Sequence, residues 1–161
     1  MQVIKAPNKL PEDLATSASV FLAGSIEMGT AENWQVKMEK YLEPEKGYIL
    51  NPRRDDWDTS WVQDINNPQF KEQVDWELDS LDKATVIAMY YDPNTKSPIS
   101  LLEMGLYATS GRLMVCCPKG FWRKGNVDIV CKRYKIVEVE EIAILADMVY
   151  KRIRWENRRP K

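Results

Sequence analysis

The sequence predicts an α/β fold: a doubly wound parallel sheet of about five strands with helices on both faces. Two observations carry that prediction. Short runs of β-branched and aromatic residues recur along the chain, and most are followed by a longer stretch with apolar residues at helical spacing. Strands alternating with helices pair in parallel through right-handed crossovers, which puts helices on either side of the sheet. At 161 residues, with 44% hydrophobic and 29% charged, the chain suits one domain whose core needs no disulfide or metal. The core is expected over about residues 18–150, with an N-terminal extension at 1–17 and a basic C-terminal tail at 151–161.

Taken in order, Ala18 to Ala23 is a buried strand closed by Gly24. After a polar turn from Ser25 to Thr30, Trp34, Met38, Tyr41 and Leu42 mark a helix ending near Gly47. Residues 48–50 are a second strand, and residues 51–69 form a long loop without periodicity, a length that is often functional. A second helix spans 70–83, with Phe70, Val74, Leu78 and Leu81 within about 80° of one another as its core stripe. Residues 85–91 are the third strand. Ser97 as N-cap and Pro98 at the first helical position open a helix running toward Gly111. Residues 113–117 are strand four, followed by a loop, a helix through VDIVCKRY, a short strand near YKIVEV and an amphipathic helix through EEIAILADMVYKRIRW. In such sheets ligands bind at the carboxyl ends of the strands. That rule singles out GSIEMGTA, the 51–69 loop, DPNTKSPISLLEMG and PKGFWRKGN.

The chain has no histidine, which removes Ser-His-Asp and Cys-His nucleophile pairs, His-ligated metals and imidazole acid–base catalysis. Carboxylates remain, and there are 24 of them. A net charge of −1 gives no field for gripping a nucleic-acid polymer, so the expected partner is a small molecule. Cys116, Cys117 and Cys131 suit neither a disulfide nor a zinc site, and point to buried thiols in a reducing cytoplasm. No apolar run approaches the ~20 residues that span a bilayer, and the N-terminus has no apolar leader segment. No metal or cofactor is expected.

Glu103 falls in the second turn of the helix after strand three, bordering the arc of Ile99, Leu102 and Leu106. The helix N-terminus is expected to keep it ionised, as a nucleophile needs. Gly105 sits where alanine would favour the helix, which hints at a ligand or backbone approaching closely. On the second helix Glu77 alone borders the apolar stripe, while Asp75, Asp79 and Asp82 form a solvated face. Desolvation should raise the Glu77 pKa and make it a proton donor. Two carboxyls in opposed environments are the equipment of glycosyl transfer with retention. Asp92, ending strand three, is a third candidate, with a turn-starting Asp as the plainer reading. Arg53 and Arg54 could hold a phosphate, and Trp57, Trp61 and Trp122 could stack on a base. Solvated arginines and core tryptophans are the alternative. GSIEMG carries no phosphate-loop pattern.

Together VFLAGSIEMGTAENWQ, NPRR with DDWD, QVDWELDSLDKATVIAMYYDP, SPISLLEMGLYA and CPKGFWRKGNVDIVC resemble the nucleoside 2-deoxyribosyltransferase-like family, over roughly residues 18–137. The resemblance implies a flavodoxin-like fold. It also implies cleavage of the N-glycosidic bond of a 2′-deoxynucleoside through a covalent deoxyribosyl-enzyme, with the sugar passed to another nucleobase or to water. Glu103 matches the family nucleophile. Glu77 stands where many members have an Asp near base and sugar, and Asp92 matches an acidic residue after the third strand. Gly24 and Ser25 match a substrate-lining turn. Asn126 resembles an Asn that reaches a neighbouring subunit's site, which implies a homo-oligomer with sites at subunit interfaces. Arg53 and Arg54 also permit a 5′-monophosphate substrate, as in related nucleotide N-glycosidases, and a non-catalytic nucleotide sensor is the alternative of another class.

Overall fold

The computed structural model describes residues 1–26, 31–54, 58 and 60–159. Six parallel strands form one sheet in the order β1-β3-β2-β4-β5-β6. They are β1 (Gln2–Lys5), β2 (Ser19–Gly24), β3 (Tyr48–Asn51), β4 (Val86–Tyr90), β5 (Leu113–Cys116) and β6 (Val137–Val139). Five helices accompany them: α1 (Trp34–Leu42), α2 (Pro68–Lys83), α3 (Pro98–Tyr107), α4 (Lys124–Tyr134) and α5 (Ile142–Arg158). Setting the edge strand β1 aside, the other five follow the 2-1-3-4-5 order of flavodoxin-like sheets.

Alternation along the strands builds two cores. Phe21, Ala23, Leu50, Ile87 and Met89 face the layer of α2, α3 and α4, where Trp76, Leu81, Met104, Val127 and Cys131 pack on them. Val20, Leu22, Ile49, Val86 and Ala88 face α1 and α5, which supply Trp34, Met38, Leu42, Leu145, Val149 and Ile153.

Three features differ from the sequence-based expectation. The sheet has six strands rather than about five, because the N-terminal segment pairs along β3 from Gln2↔Tyr48 to Lys5↔Asn51. As a short edge strand flanked by Gln2 and Lys5 it lacks the apolar run that marks an interior strand. The segment is tied down further on, with Leu14 buried and the Asn8 carbonyl accepting the Trp76 indole N–H at 2.8 Å.

The second difference is the roll of α2. It buries Gln73, Trp76, Ser80 and Leu81, while Leu78 is 39% exposed. Burying one indole removes more apolar surface than any single aliphatic of the expected stripe, and its N–H finds a carbonyl, so Trp76 sets the rotation. Finally, α5 runs on to Arg158, past the expected helix end at Trp155 and through most of the segment read as a basic tail. Ile153 is in the core, Arg152 bonds Glu156 at 2.9 Å, and the Asn157 amide donates to the Lys46 carbonyl at 3.0 Å.

Candidate active site

The strand order reverses between β2 and β4, so the carboxyl ends of these two strands open the crevice where such folds bind ligands. Gly24 ends β2 with φ +124°, and a Cβ there would stand 2.2 Å from the Tyr90 carbonyl oxygen. Only glycine allows the two strands to close at this point. Ser25 follows, buried, its Oγ 2.8 Å from Thr95 Oγ1 and 2.6 Å from Ser97 Oγ while accepting the Asp92 N–H at 2.8 Å. Thr95 and Ser97 close the triangle at 2.8 Å. Ser97 is the N-cap of α3 with φ 46°, and its hydroxyl serves this cluster rather than the helix N–H groups. The hydroxyls thereby join β2, the loop after β4 and the start of α3. The Trp34 indole donates to the Ser25 carbonyl at 3.1 Å and ties α1 to the same turn.

Asp92 is buried and engaged by its own turn. Oδ1 accepts the Asn94 backbone N–H at 2.8 Å and side-chain amide at 3.1 Å, and Oδ2 accepts the Glu32 N–H at 3.3 Å. These bonds suit the turn-starting role of an Asp.

Helix α3 is inverted relative to an ordinary amphipathic helix. Ser100, Glu103 and Met104 point inward, whereas Ile99, Leu102 and Leu106 are 60%, 60% and 58% exposed. Glu103 is 8% exposed and has no salt bridge among the described residues. Burial, reinforced by the Glu77 charge, pushes its carboxyl up to about 8. This overturns the expectation of a carboxylate held ionised by the helix N-terminus. Glu103 lies in the second turn of α3, beyond the first turn where the dipole acts, and desolvation dominates.

Burial also raises Glu77, to about 7, against the opposing pull of a hydrogen bond from Gln73. Both carboxyls are therefore raised, and the Glu77 charge adds to the rise of Glu103.

Gln73 escaped the sequence reading. Its Nε2 donates to Glu77 Oε1 at 2.8 Å and to the Pro52 carbonyl at 2.9 Å, which joins α2 to the loop after β3. The four-residue spacing of an amide and a carboxylate on one helix face was the available signal.

The two arginines of that loop part company. Arg54 has a 5% exposed side chain, 3.8 Å from Glu72 and 5.0 Å from the Trp61 ring, so it fastens the loop to α2. Arg53 takes its backbone position from the Asn51 side chain at 2.9 Å, and its Nη1 is buried without an acceptor. Trp57 lies outside the described residues. Trp122 is half-exposed, with Lys96 at 4.6 Å and Arg123 at 4.2 Å from its ring. Asn126 is exposed on the first turn of α4, at the same carboxyl edge of the sheet.

A Cβ on Gly105 would meet nothing within 4 Å outside its own helix, so among the described residues no other element closes on that side. The three cysteines are free and buried, and burial pushes each thiol up to about 12, which makes them inert packing groups. Among the described residues no group of His, Cys, Asp and Glu could hold a metal ion, and no helix is long and apolar enough to cross a membrane.

Residues 17–121 match the family described as nucleoside 2-deoxyribosyltransferase like. No curated protein sequence matches the chain. Among solved structures, the chain is similar to a conserved protein from Enterococcus faecalis V583, with a TM-score of 0.60 and 13% identity over 84% of this chain and 99% of that one. That likeness supports the fold.

Proposed function

The chain belongs to the nucleoside 2-deoxyribosyltransferase-like family, and from that premise we propose that it cleaves the N-glycosidic bond of 2′-deoxynucleosides and transfers the deoxyribose to another nucleobase. The observation that carries the reading is the pair of desolvated carboxyls, Glu103 on α3 and Glu77 on α2, whose charges act on each other. In this reading Glu103 attacks the anomeric carbon and Glu77 protonates the departing base. A second base then attacks the glutamyl-deoxyribose from the same side as the first left, giving net retention. Asp92, held by its turn, supports the wall of the site, and Gly24 and Ser25 shape its floor. No metal or cofactor is required by this chemistry, and the free thiols fit a reducing cytoplasm.

We further propose that a second copy of the chain covers Ile99, Leu102, Leu106 and the open flank of Gly105, since α3 exposes apolar groups where it has buried polar ones. Asn126 would then serve the neighbouring subunit. The orphaned Nη1 of Arg53 favours one variant of the reaction, hydrolysis of a deoxynucleoside 5′-monophosphate with that guanidinium on the phosphate.

Incubation of deoxynucleosides with a second free base, followed by chromatography, tests transfer. Exchange supports it, and absence of both exchange and released base removes it. Intact-protein mass spectrometry should find a deoxyribosyl increment on the peptide holding Glu103. Faster release of base from 5′-monophosphates, lost in Arg53→Gln, would favour the hydrolase. A protein that binds nucleoside equally well with Glu103 or Gln at that position and turns nothing over would be a sensor.

A further inference from the structure

Two neighbouring carboxyls with too little solvation to ionise together need something to decide which one keeps the proton. Gln73 is 3% exposed, one turn before Glu77 on α2. A primary amide has two N–H donors, and Gln73 gives one to Glu77 Oε1 and the other to the Pro52 carbonyl. The amide cannot be flipped, because its oxygen would then face a carbonyl and a carboxylate oxygen, acceptor against acceptor. Its Oε1 is accordingly left buried with no partner. Buried amides ordinarily satisfy their acceptor, so this one forgoes a hydrogen bond to keep a donor on Glu77. Glu103 receives no hydrogen bond that favours its charged form among the described residues.

We propose that Gln73 is a positioning residue: by donating to Glu77 it places the negative charge of the pair there and leaves the proton on Glu103 while the site is empty. The other groups around the pair do not reverse this placement. Tyr91, beyond β4, gives its hydroxyl hydrogen to the Ser100 carbonyl, and Tyr107 on α3 gives its own to Asp82. Burial raises both phenols, so they stay neutral. Arg112 is spent on the carbonyls of Leu81, Asp82 and Ala84, and Arg54 on Glu72. Arg53 lies in the loop that Gln73 grips through Pro52.

For what the proton does next, the inference rests on the glycosyl-transfer reading. On binding, the proton moves from Glu103 to Glu77 through water or the substrate, since no hydrogen bond joins the two carboxyls among the described residues. The freed carboxylate forms the bond to the anomeric carbon as the bond to the base breaks, and the bonding pair goes to the base nitrogen. That nitrogen takes the proton from Glu77, which returns to the ionised state Gln73 favours. One proton thus serves both to mask the nucleophile in the empty site and to release the base.

The test is a carbon-13 titration of the glutamate carboxyls in the full chain without substrate, on the wild type and Gln73→Met. Glu77 is expected to ionise at lower pH than Glu103, and Gln73→Met to raise the Glu77 proton affinity about tenfold. Glu103 ionising first in the wild type overturns the proposal, whether or not the variant folds. A folded Gln73→Met with an unmoved Glu77 midpoint also overturns it. The base-exchange assay on the same samples keeps the two claims apart. Titration in the expected order with no exchange and no released base leaves the proton placement standing and removes the glycosyl-transfer reading.

Discussion

On one face of the sheet α1 and α5 bury Trp34, Met38, Leu42, Leu145, Val149 and Ile153 and turn their charges outward. On the other, α2 and α3 turn Gln73, Glu77, Ser80, Ser100 and Glu103 toward the protein and leave Ile99, Leu102 and Leu106 exposed. The first layer follows the rule that apolar area is removed from water, at about 25 cal/mol per Å². The second breaks that rule at both surfaces. It gives up stability twice, by desolvating carboxyls and by wetting aliphatic side chains, and such sacrifices concentrate at functional sites. The first layer has exceptions too: Gln35 is fully buried with neither amide atom paired, and Val36, Tyr41, Ile144 and Trp155 are exposed, though scattered along two helices rather than gathered on one face beside a buried carboxyl.

The sharpest way to separate the layers is to substitute one residue in each. Glu103→Gln should lower base exchange by about 10⁴-fold or more, the scale of losing a covalent nucleophile. Its melting temperature should hold or rise, because a neutral amide no longer resists burial. Trp34→Ala should do the reverse, costing about 3–5 kcal/mol in denaturant unfolding through the cavity it leaves. Residual exchange in that variant should scale with its folded fraction. A Glu103→Gln protein that unfolds as readily as Trp34→Ala would erase the distinction between the layers.

The first layer was largely legible in the sequence, and the second only in part. Trp34, Met38 and Leu42 stand at helical spacing, and the α5 pattern is equally regular, so periodicity located both helices. The parallel pairing of β2 to β6, with helices on both faces, also followed from alternation. In α2 and α3 the same periodicity misleads. It marks Leu78, Ile99, Leu102 and Leu106 as core, and three of these are more than half exposed. Hydropathy cannot tell a residue that faces the core from one that faces a partner. Glu103 and Glu77 could still be singled out, because a carboxylate at the border of an apolar arc is conspicuous. Their proton affinities depend on depth and on Gln73, which are three-dimensional facts. Strand β1 was missed because edge strands carry little hydrophobic signal.

A third way to test the contrast uses pH. Glu77 and Glu103 are raised from the ordinary glutamate value of 4.5 to about 7 and about 8. From pH 4.5 upward the unfolded chain loses protons that these two groups still hold in the folded chain, so the pair's contribution to stability is greatest below 4.5 and is lost as both ionise, by about pH 8. At 1.36 kcal/mol per pH unit of displacement the pair should cost several kcal/mol over that window. Urea midpoints of the wild type should decline from pH 5 to 8, and Glu103→Gln should flatten most of the decline. A decline unchanged in Glu103→Gln would place its origin elsewhere.

The smallest expected effect on folding tests the outer surface of α3. Leu102→Arg replaces a side chain that is 60% exposed, so the monomer should change by no more than about 0.5 kcal/mol. In an assembly the same substitution buries a charge opposite an apolar surface or its own symmetry mate, which costs far more than a monomer would register. Light scattering should therefore find the wild type at a multiple of 18.7 kDa and Leu102→Arg at 18.7 kDa. Gly105 sharpens the point. A Cβ there would meet none of the described residues outside its own helix, so Gly105→Leu should leave the monomer intact, yet it would hold apart two helices that meet there. Dissociation by both substitutions at unchanged monomer stability would assign the exposed apolar stripe to a second copy. A wild type that is already monomeric at micromolar concentration would remove the partner, and the wetted leucines would then be a cost of placing Glu103 alone.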